Sequence, residues 1–329
     1  MSGFALPSLY PARTASDYWE LLKNYVPSDI VDSASWDRLA NAAPALPGAA
    51  FGFERTLDSP AISQFGFHLW PWCMDAALAC AANMPRAAFL APLIRAWRTT
   101  CQDCLPLHLM IMWDEQIGTG PAQPQVFLTF APNQPNWQAV VREFAGQLDD
   151  ADLAQAWQRA ATAPHANIVG LGVYLGRQDM PVRATVAIGP ERDWNGHPNW
   201  AAVDEIASLS AVPPLVAVPP TLDPGLTWHV PVVARMHAKP HEALAPLVGA
   251  LLERGMVDAD TALMLQQPPL MIPVPGGATF DGQPALLRLM VSLERIKIVV
   301  ADGAWLSAKI CYMVRPVWRS SSGRVFVES

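Results

Sequence analysis

The fold is decided by residues 285 to 314. They read ALLRLMVSLERIKIVV over 285–300, then Ala301-Asp302-Gly303-Ala304, then WLSAKICYMV over 305–314. Both runs are predominantly apolar, the first is rich in β-branched residues, and it alternates clearly through Arg295-Ile296-Lys297-Ile298. Asp-Gly between two such runs is a hairpin signal, because a two-residue hairpin turn needs a left-handed backbone that these residues adopt at low cost. Strands this close in sequence must be antiparallel, since a parallel pair needs a crossover of about a dozen residues or more.

Working outward from that hairpin, the same unit recurs toward the N-terminus. Asn167–Leu175 (NIVGLGVYL) pairs with Val182–Ile188, Leu107–Asp114 (LHLMIMWD) with Gln125–Ala131, and Ala50–Leu57 (AFGFERTL) with Ser63–Trp72. Leu226–Ala234 and Leu270–Val274 read as further strands. Helical periodicity fills Ser16–Tyr25, Asn136–Gln147, Ala151–Thr162, Asn199–Leu209, His241–Arg254 and Ala259–Gln266, and Met74–Thr100 where Pro85 and Pro92 interrupt it. Val212–Pro224 is proline-rich and reads as an internal connection, because the alternation resumes beyond it. The expectation is a single domain over residues 1–329 of α+β class: an antiparallel sheet of roughly ten strands, surrounded by helices in repeated α-β-β-α units. A sheet that wide tends to curl into a closed or nearly closed barrel, which removes its edges and leaves a lumen.

Strand alternation says what such a lumen would contain, since successive side chains point to opposite faces. Arg295 and Lys297 share one face, with Ile296, Ile298 and Val300 on the other. Lys309 goes with Cys311 and Met313, against Ala308, Ile310 and Tyr312. Arg183 and Thr185 oppose Val182, Ala184 and Val186; Glu54 opposes Phe51 and Phe53; His68 opposes Phe65, Phe67 and Leu69. His108, Met110, Met112 and Asp114 share a face that excludes Trp113. If instead the sheet is open with its polar face in water, the same cations are ordinary solvated residues, and Glu54 beside Arg55 is a surface ion pair of little weight.

Composition removes several classes. Twenty-two Lys and Arg against 29 Asp and Glu give a net charge of −7, and no dense basic segment is present, so a nucleic-acid backbone binder is excluded. No secretory leader or membrane span is legible, and the expectation is a cytoplasmic protein without a membrane partner. Five cysteines suit reduced thiols, and Cys101-Gln102-Asp103-Cys104 lacks the second pair that a zinc site needs. His237 and His241 have helical spacing but lack an acidic third ligand; Asp149-Asp150-Ala151-Asp152 suits capping better than metal binding. The glycines of Gly170-Leu171-Gly172 do not follow dinucleotide-binding spacing and suit close packing or a bulge. No GxSxG elbow, P-loop or HExxH occurs. The 13 tryptophans divide into a minority available to a lumen and a majority, such as Trp137, Trp157, Trp194 and Trp200, on helices or loops where packing accounts for them.

Taken together, the helix and hairpin alternation, the Arg295-Ile296-Lys297 strand and the Ser307-Ala308-Lys309-Ile310-Cys311-Tyr312 strand resemble the soluble aromatic prenyltransferases of the ABBA-barrel type. That group includes indole-modifying and peptide-modifying members. The resemblance implies transfer of a prenyl group from an allylic diphosphate to an indole, a phenol, or a Trp or Tyr of a peptide in natural-product biosynthesis. It implies diphosphate binding by Arg183, Arg295, Lys297 and Lys309, and a hydrogen-bonded acceptor at Glu54. Ionising an allylic diphosphate needs cations on the leaving group, and the resulting carbocation needs a dry wall of aromatic faces and sulfur atoms. Trp70, Trp113, Trp228, Met110 and Met112 are available for that wall. Glu54, His68 or Asp114 would orient the acceptor and remove its proton. No protein-held metal or cofactor is expected, with magnesium on the diphosphate left open. The competing expectations are a non-catalytic barrel that binds a peptide or apolar small molecule, and a plain scaffold without a cavity.

Overall fold

Thirteen strands carry the architecture in a computed structural model, which describes residues 16–42, 50–69, 78, 90–100, 108–114, 125–130, 136–162, 168–174, 182–187, 198–210, 215–218, 226–231, 240–276, 278–280, 283–321, 323 and 325–327. The strands are Phe51–Thr56 (β1), Ile62–Leu69 (β2), His108–Asp114 (β3), Gln125–Thr129 (β4), Ile168–Tyr174 (β5), Val182–Ala187 (β6), Leu215–Val218 (β7), Leu226–Pro231 (β8), Leu270–Pro273 (β9), Ala278–Phe280 (β10), Gln283–Ala301 (β11), Ala304–Ser320 (β12) and Val325–Val327 (β13). The described helices are Ser16–Tyr25 (α1), Ser33–Ala42 (α2), Leu90–Thr100 (α3), Trp137–Gly146 (α4), Ala151–Ala160 (α5), Trp200–Leu209 (α6), Pro240–Glu253 (α7) and Ala259–Leu265 (α8).

Every strand pairing is antiparallel, and the order is β10-β11-β8-β7-β6-β5-β4-β3-β2-β1-β12-β13, with β9 also on β11. The expected α+β class with an antiparallel sheet and helices is therefore what the chain adopts. β11 pairs with β12 from Ala285↔Ser320 to Ala301↔Ala304. Away from β12 it is divided among three strands: Gln283 to Ala285 pair with β10, Arg288 to Val291 with β9, and Arg295 to Val300 with β8. The change from β9 to β8 falls where the β11–β12 register shifts between Leu293 and Arg295.

The hairpin that decides the fold turns as its sequence demands. Asp302 (φ 50°) and Gly303 (φ 74°) are both left-handed, as a primed hairpin turn requires. The Gly303 N–H donates to Asn199 Oδ1 at 2.7 Å, which ties the hairpin tip to the residue preceding α6. Arg254, just beyond α7, lies 4.2 Å over the Trp305 ring and also pairs with Glu205 of α6.

One face of the sheet is covered by helices, and the core lies between. Trp36 of α2 meets the Phe53 ring edge-on at 5.5 Å, Trp19 of α1 meets Phe51 at 4.8 Å, and Phe144 of α4 meets Trp157 of α5 at 5.2 Å. Trp137 and Trp157 are buried in this layer. Asp150 caps α5 by accepting the Leu153 N–H at 2.9 Å, so the acidic run there serves a helix start. Pro92 sits in the first turn of α3, where backbone N–H groups have no intrahelical partner to lose.

Several expectations need correction. Val212–Pro224 is not only a connection: Leu215–Val218 is β7, a short apolar run flanked by prolines that leave its own ladder N–H groups intact, and it pairs with β6 and β8. The final strand continues past Val314 to Ser320, with Pro316 inside it. α2 was not expected; Asp32 accepts the Ser35 N–H at 2.6 Å, and Trp36 and Leu39 supply a one-turn apolar face. The Cys101–Cys104 pair and His237 lie outside the described residues. No helix among the described residues is long and apolar enough to cross a membrane.

Candidate functional site

Alternation on eight strands directs one set of side chains into a common cavity of about 430 Å³. Glu54 comes from β1, His68 from β2, Met110 and Met112 from β3, Arg183 and Thr185 from β6, Arg295, Lys297 and Val299 from β11, and Lys309, Cys311 and Met313 from β12. Gln125 and Phe127 of β4 and Tyr174 of β5 complete the wall opposite the lysines. The alternate residues of the same strands, Phe51, Phe53, Ile296, Ile298, Ile310 and Val314, are buried in the helix-covered core. Separation by parity is what gives the two faces their different chemistry.

Small residues make the space. A Cβ on Gly66 would lie 2.6 Å from Met112 Cγ and 2.7 Å from the Ile111 carbonyl, and a Cβ on Gly172 would lie 2.1 Å from the Phe127 ring. Neighbouring large side chains therefore lie across the glycines instead of filling the centre. The β5–β6 register shifts between Ile168 and Gly170, so the glycine-rich strand serves both close packing and an irregularity.

The charged cluster follows from register. Lys297 stands opposite Lys309 across β11–β12, and Cys311 stands opposite both Arg295 and Glu54. Glu54, only 4% exposed, accepts a short hydrogen bond from Lys297 Nζ, and Lys309 Nζ lies 3.3 Å from its other oxygen. Burial alone would push the Glu54 carboxyl up, but Lys297 and Lys309 outweigh it and hold the group below its ordinary value. Burial likewise works to lower Lys297, and the Glu54 carboxylate reverses that, so the ammonium is held above its ordinary value. Burial pushes the Cys311 thiol up. Arg183 lies 5.4 Å over the Tyr174 ring. Four cations against one carboxylate leave the described lining net positive in a chain whose total is −7.

Of the residues expected at the site, Glu54, His68, Met110, Met112, Arg183, Arg295, Lys297 and Lys309 line the cavity together. Asp114, Trp113 and Trp228 have backbones placed in β3 and β8, while their side chains lie outside the described residues, as does Trp70 altogether. Trp113 pairs with Phe65 and has the parity of the buried core residues Leu109 and Ile111. Tyr312, part of the strand that carried the resemblance, faces the helix layer and stacks on Phe53 at 5.4 Å. Arg55 does not form an ion pair with Glu54; it is buried on the opposite face and donates to the Thr56 and Ser59 carbonyls at 3.0 Å. Gln64, Gln125, Phe127, Tyr174 and Cys311 join the lining without having been expected there as site residues.

No protein-family model matches the chain. No curated protein matches it. Among solved structures, one that is similar is the crystal structure of PriB in a binary complex with product diphosphate, at 16% identity over 94% of this chain and 95% of that one, with a TM-score of 0.46. A likeness of that size bears on neither residues nor chemistry.

Proposed function

We propose that this chain is an ABBA-type aromatic prenyltransferase, moving a prenyl group from an allylic diphosphate to an indole, a phenol, or a Trp or Tyr of a peptide. The observation that carries this reading is the convergence of Arg183, Arg295, Lys297 and Lys309 on one cavity whose wall also carries Met110, Met112, Met313, Phe127 and Tyr174. A barrel closed through β11 is part of the proposal, supported by the pairing of β11 with both β8 and β12.

In this reading the allylic C–O bond breaks with its electron pair leaving on the diphosphate, and the four cations stabilise that charge in a site poor in water. Met110, Met112, Met313, Phe127 and Tyr174 face the allylic cation. An aromatic carbon attacks it, and the ring then loses a proton to regain aromaticity. Glu54, held below its ordinary value, is a weak base. A weak base suffices for so acidic a proton, and its larger part is to position an acceptor N–H or O–H. Cys311, with its thiol pushed up, stays protonated and is not a competing thiolate nucleophile. Among the described residues no three His, Cys, Asp or Glu side chains converge as metal ligands, and Glu54 is engaged by two lysines. These donors do not fit a protein-held metal, so any magnesium would enter on the diphosphate.

The test is incubation of the protein with dimethylallyl or geranyl diphosphate and a panel of indoles, phenols and Trp or Tyr peptides, with and without magnesium, following product mass. Gain of one prenyl unit is expected, with a loss of about 100-fold or more when Arg295 and Lys297 are both changed to Ala, in line with removing leaving-group stabilisation. Binding without mass gain for every combination would replace the enzyme with a non-catalytic binding barrel.

A further inference from the structure

Glu54 lines the cavity between Lys297 and Lys309, and its bonding to both bears on the order in which ligands enter. Its two oxygens are already occupied, one by Lys297 and the other by Lys309. The carboxylate is 4% exposed, and the two lysine side chains are 13% and 37% exposed. The ammonium groups that would meet an anion are therefore satisfied by an internal anion, and the carboxylate that would meet an acceptor is satisfied by the same ammonium groups.

We propose that Glu54, Lys297 and Lys309 form an exchangeable clasp that makes an anionic ligand and a hydrogen-bond-donating aromatic ligand bind cooperatively, the anion first. This rests on the diphosphate reading of the cavity and adds to it a coupling between the two ligands. A diphosphate presents more charge and more acceptor oxygens than one carboxylate, so it draws the ammonium groups toward itself. Glu54 is then left buried with its cations partly withdrawn, a state that is costly unless another donor replaces them. An indole N–H or phenol O–H is such a donor. In the absence of the anion the same N–H must compete with two ammonium groups for the carboxylate. Linkage makes the effect reciprocal: each ligand raises the affinity of the other by the same factor.

The experiment measures binding of indole, N-methylindole and inorganic diphosphate to the full chain by calorimetry, singly and together. Indole is expected to bind about 5-fold or more tightly when diphosphate is saturating, within the usual range of coupling between two sites. N-methylindole, which has the ring but no N–H, should gain less than about 2-fold on the same scale. Glu54→Gln removes the internal anion that competes for Lys297 and Lys309, so it should bind diphosphate more tightly than the wild type and lose the coupling. Equal coupling for indole and N-methylindole, or independent binding of indole and diphosphate, overturns the clasp and leaves the prenyl-transfer reading intact. Failure of diphosphate to bind at all overturns both. The N-methylindole comparison uses the unaltered protein, so the outcome does not depend on how well the variant folds.

Discussion

Glu54 is the residue on which the chemistry of the cavity turns, and its neighbours also make it a point of pH sensitivity. The folded-state value lies below the ordinary 4.5, because Lys297 and Lys309 outweigh burial. A carboxyl with a depressed folded value stabilises the fold fully above the unfolded value, and that contribution is lost as pH falls through the folded one. The thermal midpoint of the wild type should therefore fall, relative to Glu54→Gln, as pH drops below about 4.5. Parallel melting curves for the two proteins from pH 6 to pH 3 would show that the pair contributes nothing to stability. Much of this cluster is legible in the sequence, because Arg295-Ile296-Lys297 and Lys309-Ile310-Cys311 alternate a charged or polar residue with an apolar one. Tyr174 is not legible. The inward positions before it on β5 are Gly170 and Gly172, which carry no side chain, so that strand shows no alternation to read.

At the scale of the strands, the cavity exists because glycine positions let a neighbouring side chain lie where a second one would otherwise stand. Gly66 and Gly52 face each other across β1 and β2, yet their surroundings differ. A methyl on Gly52 would meet the movable Met313 sulfur at 2.8 Å and the Tyr312 carbonyl at 3.1 Å, whereas one on Gly66 would meet the fixed Ile111 carbonyl more closely, at 2.7 Å, as well as Met112. Gly66→Ala should cost about 1–3 kcal/mol, the usual range for overpacking, and Gly52→Ala measurably less. Denaturant unfolding of the two variants measures this, and equal losses would show that backbone proximity is not what separates them. The strand readings failed where neighbouring residues masked the signal. Leu215–Val218 is flanked by Pro213-Pro214 and Pro219-Pro220, which read as a loop although none of them lies within the strand. Beyond Val314, Arg315-Pro316 looks like an ending, but Arg315 is buried and bonded to Ser292 and Glu294, so the strand continues.

For the molecule as a whole, α+β class and antiparallel pairing follow from the spacing of hairpins, and the structure agrees. The hairpin of β11 and β12 carries three of the four cavity cations, and its tip is fixed from outside by Asn199. Asn199→Ala removes the acceptor for Gly303 N–H and should lower stability by about 1 kcal/mol, the usual net value of one such bond. If the tip also sets the placement of Lys297 and Lys309, diphosphate affinity should fall in the same variant, while a change in stability alone would confine Asn199 to a structural part.

One consequence of the register concerns how the chain reaches this arrangement. Glu54 is synthesised early, yet its bonded partner Lys297 follows 243 residues later, and β1 finds β12 only when the final strands exist. Contacts this distant in sequence must close very long loops before they stabilise anything, and chains dominated by them fold slowly. The β1 edge that β12 covers and the ion pairs of Glu54 with Lys297 and Lys309 can form only once β11 and β12 have been made, so the cation cluster cannot be completed before the last strands exist.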